Sequence, residues 1–427
     1  MAYINEEKKE VNGLTTHIIQ TEKFKTTTLV LKMLAPLKKE DVTNRALLPY
    51  VLQRGTKSFS TTTELRKHLD ELYGATLQVD LTKKGENHVI SFRMEVPNEK
   101  FLSDQTPLLE HALKLLSEII LSPVEENGTF KKEFVEQEKR SLKQRIQAVY
   151  DDKMRYSNLR LVQEMCKGEA YALHVNGEKE EADKITPESL YKYYERCRAE
   201  DKVDLYIVGD LAESDVKNLV MKYFTFEGNS HKRAPETKTN KKIDKVKEEI
   251  EEQDVKQGKL NIGYRTNCTY QDEDYHALQV FNGIYGGFSH SKLFINVREK
   301  ASLAYYAASR VESHKGLLMV MSGIEFANYD QAVTIIKEQM TAMKNGEFTE
   351  KEIEQTKAVI RNQLLETIDT SYGMVEVLYH NVIADIDRTF DEWIEKINDV
   401  TKEDIIKAAE KIELDTIYFL KGMGGNQ

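Results

Sequence analysis

The chain has 427 residues, 40% of them hydrophobic and 31% charged, which is the balance of a globular protein too long for one ordinary core. Its formal net charge of −10 disfavours nucleic acid and anionic membrane as main partners, and no apolar run reaches the roughly 20 residues of a membrane span. A polar start without a signal-peptide layout, and three cysteines that offer no disulfide framework, predict a cytoplasmic protein.

In chain order, the first half alternates strand-like and helix-like segments, which predicts an α+β fold. Runs rich in Thr, Val and Ile predict strands at 14–20, 26–34, 76–82, 88–96 and 203–211. Apolar residues at helical spacing predict helices at 44–56, 64–74, 108–121, 131–150, 189–200 and 215–224. The threonines before Glu64 are typical of an N-cap, and Gly74 is typical of a helix C-cap.

A polar stretch at 227–245 has no apolar period and predicts an interdomain linker. Strands and helices resume after it. The predicted organisation is therefore an N-terminal domain at 1–226, the linker, and a C-terminal domain at 246–427.

The second half of the sequence echoes the first. Residues 136–146 resemble 354–364 at an offset of 218, and 185–210 resemble 400–422 at an offset of about 215. The second pair runs from a capping threonine through an amphipathic helix and a short gap to an apolar strand. Two echoes in the same order at nearly one offset indicate duplication, so we predict two homologous domains.

Familiar metal and nucleotide motifs are incomplete in this sequence. Glu110 and His111 end the segment Pro-Leu-Leu-Glu-His, but Pro107 stands where an HxxEH motif needs its first histidine, which favours a surface Glu–His pair. Cys166 and Cys197 fall in amphipathic helices and are predicted to be core thiols. No Gly-Lys-Ser/Thr phosphate loop and no GxGxxG after a strand occurs, so a nucleotide site is not expected.

Residues 281–310 are the richest stretch for chemistry. A helix is predicted to end at Gly286-Gly287, before a turn, an amphipathic segment and a strand. Arg298 and Tyr305 lie seven residues apart and could offer a cation and a hydroxyl to a peptide carbonyl or a developing oxyanion. Alternatively, Arg298 pairs with a helix carboxylate and Tyr305 packs in the sheet. The spacing alone leaves both interpretations open.

This stretch resembles the signature of the insulinase-like or pitrilysin-like zinc peptidases, the M16 family. Their second half carries a Gly-Gly-Gly-Phe-Ser-Ser-Arg-Leu-Phe-like segment and then Arg-x-Lys-x-x-Leu-x-Tyr, and this chain has GGFSHSKLF and REKASLAY. The duplicated halves, the linker and the Thr-Pro-Glu-x-Leu helix at Thr186 extend the resemblance to nearly the whole chain. It implies an M16-like half-clamshell, in which each domain is an antiparallel-rich sheet packed with helices.

The resemblance also assigns roles to residues of this segment. By match, Arg298 and Tyr305 would help to hold the substrate and to stabilise the tetrahedral intermediate. The turn made by Gly286, Gly287, Phe288 and Ser289 would help to position the substrate backbone.

The same resemblance explains the helix at 44–56. Catalytic members carry His-x-x-Glu-His there, followed by a Lys/Arg-Gly-Thr-like end, which aligns with Arg54-Gly55-Thr56. The two histidines then fall on Ala46 and Tyr50, and the glutamate falls on Pro49. None of these side chains suits zinc at neutral pH or activates water.

The third zinc ligand of the family, a glutamate on a long helix, falls at Arg145 in "EKRSLKQRI". All ligand positions and the base are therefore changed, and no metal is predicted in this chain. The resemblance implies the non-catalytic subunit of a two-chain peptidase, paired with a homologous HxxEH subunit that supplies the zinc and acting on peptides or unfolded polypeptide. The alternative is a non-enzymatic scaffold or peptide-holding homodimer.

Overall fold

The computed structural model describes residues 2–103, 106–226 and 243–423. Its strands are β1 (Glu6–Val11), β2 (Leu14–Gln20), β3 (Thr26–Pro36), β4 (Thr76–Lys84), β5 (Asn87–Pro97), β6 (Glu125–Glu126), β7 (Thr129–Phe130), β8 (Lys202–Gly209), β9 (Lys247–Gln253), β10 (Gly258–Arg265), β11 (Ala304–Glu312), β12 (Leu317–Ile324) and β13 (Glu413–Gly422).

The α-helices alternate with these strands. They are α1 (Val42–Leu52), α2 (Thr62–Glu71), α3 (Leu108–Leu121), α4 (Lys132–Asp151), α5 (Lys153–Met165), α6 (Lys179–Lys184), α7 (Pro187–Glu200), α8 (Glu213–Tyr223), α9 (Tyr275–Asn282), α10 (Tyr329–Lys344), α11 (Glu350–Thr367), α12 (Ser371–Ala384), α13 (Phe390–Asp399) and α14 (Lys402–Glu410). Two π-helical turns cover Gly283–Gly287 and Phe294–Lys300.

The first half forms a six-stranded sheet in the order β1-β2-β8-β3-β5-β4. Strands β2 and β8 run parallel, and the other neighbouring strands run antiparallel. Helices α1 and α3 pack on this sheet, where Leu31, Phe92, Ala46 and Leu113 share one buried cluster. The helix α1 therefore belongs to the hydrophobic core and is held in place by apolar burial.

The second sheet repeats the topology of the first. Its order is β11-β12-β10-β13-β9, with β13 and β9 parallel, which matches β4-β5-β3-β8-β2 strand for strand. The first echo of the sequence falls on α4 and α11. The second falls on α7–β8 and α14–β13, whose helices both begin at a threonine capping box, at Thr186 and Thr401. The α+β fold with two homologous sheets is confirmed.

Each half also covers the sheet of the other half with a helix. Helix α5 packs on β10 and β13 of the second sheet, and α12 packs on β3 and β8 of the first. At Gly263 on β10, a Cβ atom would lie 2.6 Å from Met165 Sδ of α5, so glycine lets this helix approach closely. The two halves are thus joined by exchanged helices.

A buried charge network crosses the same junction. Arg265 on β10 donates two hydrogen bonds to the Glu169 carboxylate, at 2.7 and 3.0 Å, and a third to Asp415 Oδ2 at 2.8 Å. Lys315 Nζ, in the β11–β12 turn, lies 2.8 Å from Glu169 Oε2 and also pairs with Glu86. Because Glu169 and Glu86 belong to the first half, these ion pairs help to fix one half against the other.

Local signals in the sequence agree with these elements. The predicted strands and helices of the first half are all present. Thr61 is the N-cap of α2 and forms a capping box with Glu64, as predicted. The same helix ends through two left-handed residues, Tyr73 and Gly74, with φ of 57° and 75°.

The predicted linker lies for the most part outside the described residues, which leave out 227–242. The domain boundaries at 226 and 246 therefore stay a prediction. In the ranges that the structure describes, no helix is both long and apolar enough to cross a membrane.

Candidate functional site

Ala46 and Pro49 of helix α1, two of the positions that match the HxxEH motif, are buried in the core. Ala46 is 0% exposed and ends in a methyl group, and Pro49 is buried inside the helix with neither a backbone N–H nor a carboxylate. Tyr50, the third position, is half-buried, and burial raises the pKa of its phenol even though the charge of Arg145 lowers it. The phenol therefore stays protonated at neutral pH.

Tyr50 meets Arg145 where α1 packs against α4. The guanidinium carbon of Arg145 lies 3.7 Å from the centre of the Tyr50 ring, which is a cation–π geometry. Arg145 Nη1 lies 3.9 Å from Glu138 Oε2, and Arg54 Nε donates a 2.7 Å hydrogen bond to Glu138 Oε1. Two guanidinium groups therefore share one carboxylate that is only 4% exposed.

Sequence reasoning missed the roles of Arg54 and Glu138. Glu138 precedes Arg145 by seven residues on α4, so both lie on one face of that helix, and this spacing was the available signal. Arg54 comes from the segment after α1, and only the tertiary fold brings it to Glu138.

Arg298 and Tyr305 both lie at the surface of the second half. The guanidinium carbon of Arg298 lies 4.6 Å from the ring centre of Phe294, and its Nε lies 3.6 Å from Glu299 Oε1. Tyr305 on β11 is 63% exposed, and its hydroxyl donates a 3.0 Å hydrogen bond to Glu325 Oε1, which raises the pKa of Tyr305. The two side chains thus have different partners, and this exposure argues against a packing role for Tyr305.

The predicted substrate-binding turn divides into a buried and an exposed part. Gly286 is buried, and a Cβ atom there would lie 2.5 Å from Ser309 Oγ on β11, so this glycine permits close packing. Gly287 and Ser289 are exposed and Phe288 is half-buried. The exposed part of the turn is the part that a substrate can reach.

Two structural features of the site region have no clear signal in the sequence. The first π-helical turn includes Gly286 and Gly287 of the Gly-Gly-Phe-Ser segment, and the second begins after that segment, at Phe294; such turns occur often at functional sites. A cavity of about 880 Å³ opens where the start of α1, the end of α4, helix α5 and the segment 172–181 meet, with Thr43 and Tyr150 in its wall. Segments distant in sequence form that wall.

Known proteins similar to this chain decide its family. The family model described as Peptidase M16 inactive domain matches residues 184–360. A protein of Bacillus subtilis (strain 168), named probable inactive metalloprotease YmfF, is 62% identical over 425 residues, which cover 100% of both chains. The chain belongs to the M16 peptidase family.

Solved structures share the fold of this chain. A conserved protein from Enterococcus faecalis V583 is 34% identical, with a TM-score of 0.90 over 99% of this chain and 100% of the other. A peptidase M16 inactive domain from Pseudomonas fluorescens is 18% identical, with a TM-score of 0.81 over 99% of each chain. The second likeness bears on the fold alone.

Zinc is the metal that M16 membership implies, and the residues at the matching positions do not fit it. Zinc binds thiolate, imidazole and carboxylate groups, whereas Arg145 brings a fixed positive charge and Ala46 brings no ligand atom. In the ranges given above for the structure, no group of three or more His, Cys, Asp or Glu side chains is placed to hold a metal ion. The chain resembles M16 proteins named as inactive, which is consistent with a non-catalytic role.

Proposed function

We propose that this chain is the non-catalytic, substrate-binding subunit of a two-chain M16 zinc peptidase. A homologous partner with an intact HxxEH motif would supply the zinc and the glutamate that deprotonates water. This chain would supply Arg298 and Tyr305 to the same reaction, from across the space between the two subunits.

The proposal rests on a contrast between two sets of side chains. The ligand and base positions face the core or each other and have lost their chemistry, as Ala46 and the Tyr50–Arg145 pair illustrate. Arg298 and Tyr305, by contrast, hold polar groups at the surface. Tyr305 is 63% exposed, so its hydroxyl is accessible to a bound polypeptide.

The chemistry of Tyr305 suits a donor to an oxyanion. Its hydroxyl already donates to Glu325, and the raised pKa keeps the phenol protonated. A substrate oxyanion would take the place of that carboxylate as the acceptor. Arg298 would add a fixed cation that can hold a peptide carbonyl or carboxylate in a planar, two-bond geometry.

One edge strand near the Tyr50–Arg145 pair and another near Arg298 and Tyr305 support the binding of extended polypeptide. Strands β4 and β11 end the two sheets, and in the described part of the chain each pairs with a single neighbour. Such edges offer free backbone groups that can pair with a peptide strand. Tyr305 lies on β11, and α1, which carries Tyr50, contacts β4.

Capture of the partner and reconstitution test this proposal. The tagged chain is used to purify bound proteins from native lysate, and the bound chains are identified by mass spectrometry. We expect a chain with HxxEH on the same fold, and peptide cleavage that requires both subunits. If the chain holds unfolded polypeptide but pairs only with itself, the peptide-holding homodimer is the correct function instead.

A further inference from the structure

The guanidinium of Arg145 has hydrogen-bond donors without an acceptor. Its Nε and Nη2 atoms are buried and have no hydrogen-bond partner among the residues that the structure describes, and Nη1 is 3.9 Å from Glu138, too far for a hydrogen bond. Buried N–H groups of a charged side chain are costly when they have no acceptor. The arrangement is that of a site whose acceptor comes from outside the chain.

The two guanidinium groups and the carboxylate that they share carry a net charge of +1, and the Asp80 carboxylate also acts on Tyr50. Arg54 and Arg145 bring two positive charges, and the Glu138 carboxylate that they share brings one negative charge. Arg54 takes up Glu138 Oε1, which leaves Arg145 the less compensated of the two cations. A monoanion would neutralise the excess, whereas a dianion would place surplus negative charge beside a buried carboxylate.

The geometry holds the guanidinium ready for such a group. The Tyr50 ring lies 3.7 Å from the guanidinium carbon and so limits the movement of its plane. The Arg145 side chain as a whole is 29% exposed, whereas its Nε and Nη2 atoms are buried, so a carboxylate that binds them would displace the side chains that cover them. A planar guanidinium with two free N–H groups matches the two oxygens of a carboxylate.

We propose that the former metal position is a carboxylate-binding site, in which Arg145, backed by Tyr50, binds a carboxylate of the polypeptide substrate. The carboxylate is either the C-terminal group of a peptide or an Asp or Glu side chain. The inference rests on the proposed function, because it takes the bound polypeptide as the source of the ligand. A fixed cation would thus anchor an anionic group of the substrate where the catalytic relatives hold zinc.

Peptide capture with matched variants tests this site. The probe is a tryptic digest of reduced, alkylated casein, offered either intact or after methyl esterification of its carboxyl groups. Arg145→Gln removes the charge, Arg145→Lys keeps it without the planar fork, and Arg140→Gln on the exposed face of the same helix is the control. Thermal melting of each variant shows whether the fold is kept.

We expect esterification to weaken capture by about 10- to 100-fold, the size of one charge-assisted hydrogen-bond pair. Arg145→Gln should weaken capture of the intact digest equally, Arg145→Lys less, and Arg140→Gln not at all. Bound peptides resynthesised with a free or an amidated C-terminus then separate the two carboxylate sources. Loss with the amide assigns the C-terminal group, and retention assigns a side chain.

The possible failures are distinct. If intact and esterified digests bind equally and Arg145→Gln changes nothing, the carboxylate site is wrong while the substrate-binding function stands. If neither digest binds to the chain or to its complex, the proposed function fails and this inference fails with it. If Arg145→Gln loses capture but also melts at a lower temperature, Arg145→Lys decides, provided that its own melting temperature is unchanged. Full capture by Arg145→Lys would overturn the site.

Discussion

Replacing Glu169 by glutamine should loosen the junction between the two halves. Glu169 accepts two hydrogen bonds from Arg265 and pairs with Lys315. Arg265 is 2% exposed and Lys315 is 3% exposed. Partial burial opposes ionisation of Glu169, but the hydrogen bonds from Arg265 and Lys315 outweigh it and hold its pKa at about 2 instead of 4.5. Glu169→Gln keeps the shape of the side chain and removes this charge.

The pKa difference sets the size of the effect. A difference of about 2.5 pH units between folded and unfolded states corresponds to roughly 3.4 kcal/mol as an upper bound. Solvent screening reduces this, because the Glu169 side chain is 19% exposed and each cation keeps a second carboxylate, on Asp415 or Glu86. We therefore expect Glu169→Gln to lower the free energy of unfolding by about 1–2 kcal/mol at neutral pH.

The direction of the pKa shift determines how this stabilisation changes with pH. Because the folded pKa lies below the unfolded one, the stabilisation is fully present above about pH 4.5 and is lost as the pH falls towards 2. Urea unfolding of wild type and Glu169→Gln at about pH 7 and pH 3 measures the difference, with Glu195→Gln on the exposed face of α7 as the control. A loss no larger than that of the control, or one that does not shrink at low pH, would refute this account of the junction.

Three other outcomes test separate parts of the molecule. Burial lowers the pKa of His17, but the hydrogen bonds that His17 donates to Asp204 and Glu6 raise this pKa above 6.5 overall. The advantage of wild type over His17→Gln in melting temperature should therefore be full below about pH 6.5 and shrink as the pH rises through the folded pKa, and an advantage that grows with pH would contradict this. Gly286→Ala should cost about 1–3 kcal/mol in urea unfolding, because the added Cβ would lie 2.5 Å from Ser309 Oγ and 2.8 Å from the Ser309 backbone N, and an unchanged midpoint would disprove the packing role. The purified chain should contain no stoichiometric zinc by elemental analysis, and one-to-one zinc that survives chelator dialysis and is lost on mutation near Tyr50 would count against the degenerate site.

Periodicity predicted many of the elements that bury an apolar face, but it gave no bounds for α5, β10 and β12, which also bury apolar residues. The helix α3 begins and ends at the predicted residues, because nine of its side chains are buried at helical spacing. Strands β1 and β9 were missed, since "EEKKEV" and "KEEIEEQ" are charged edge strands with little apolar signal. The exchange of α5 and α12 between the sheets depends on contacts between distant segments, which no local pattern encodes.

Part of the candidate site could likewise be predicted from the sequence, and part follows only from the packing of distant segments. The family resemblance placed the ligand and base positions at Ala46, Pro49, Tyr50 and Arg145, and the residue types at those positions do not suit zinc. That Arg145 stacks on Tyr50, 95 residues away in sequence, follows only from the packing of α1 on α4. The roles of Arg298 and Tyr305 are proposals, because the spacing of the two residues leaves their geometry open and the proposed partner would complete the site.

The most direct test of the central proposal is peptide cleavage by the reconstituted two-chain complex carrying Tyr305→Phe. If Tyr305 donates to the oxyanion, the variant should lose roughly 100- to 1,000-fold in turnover, because it keeps the ring and removes only the donor. Its melting temperature should not change, since the side chain is 63% exposed, and Arg310→Gln on the same strand should leave turnover intact. Full activity of Tyr305→Phe, or a loss that a lowered melting temperature explains, would contradict the proposal that this chain contributes to catalysis by its partner.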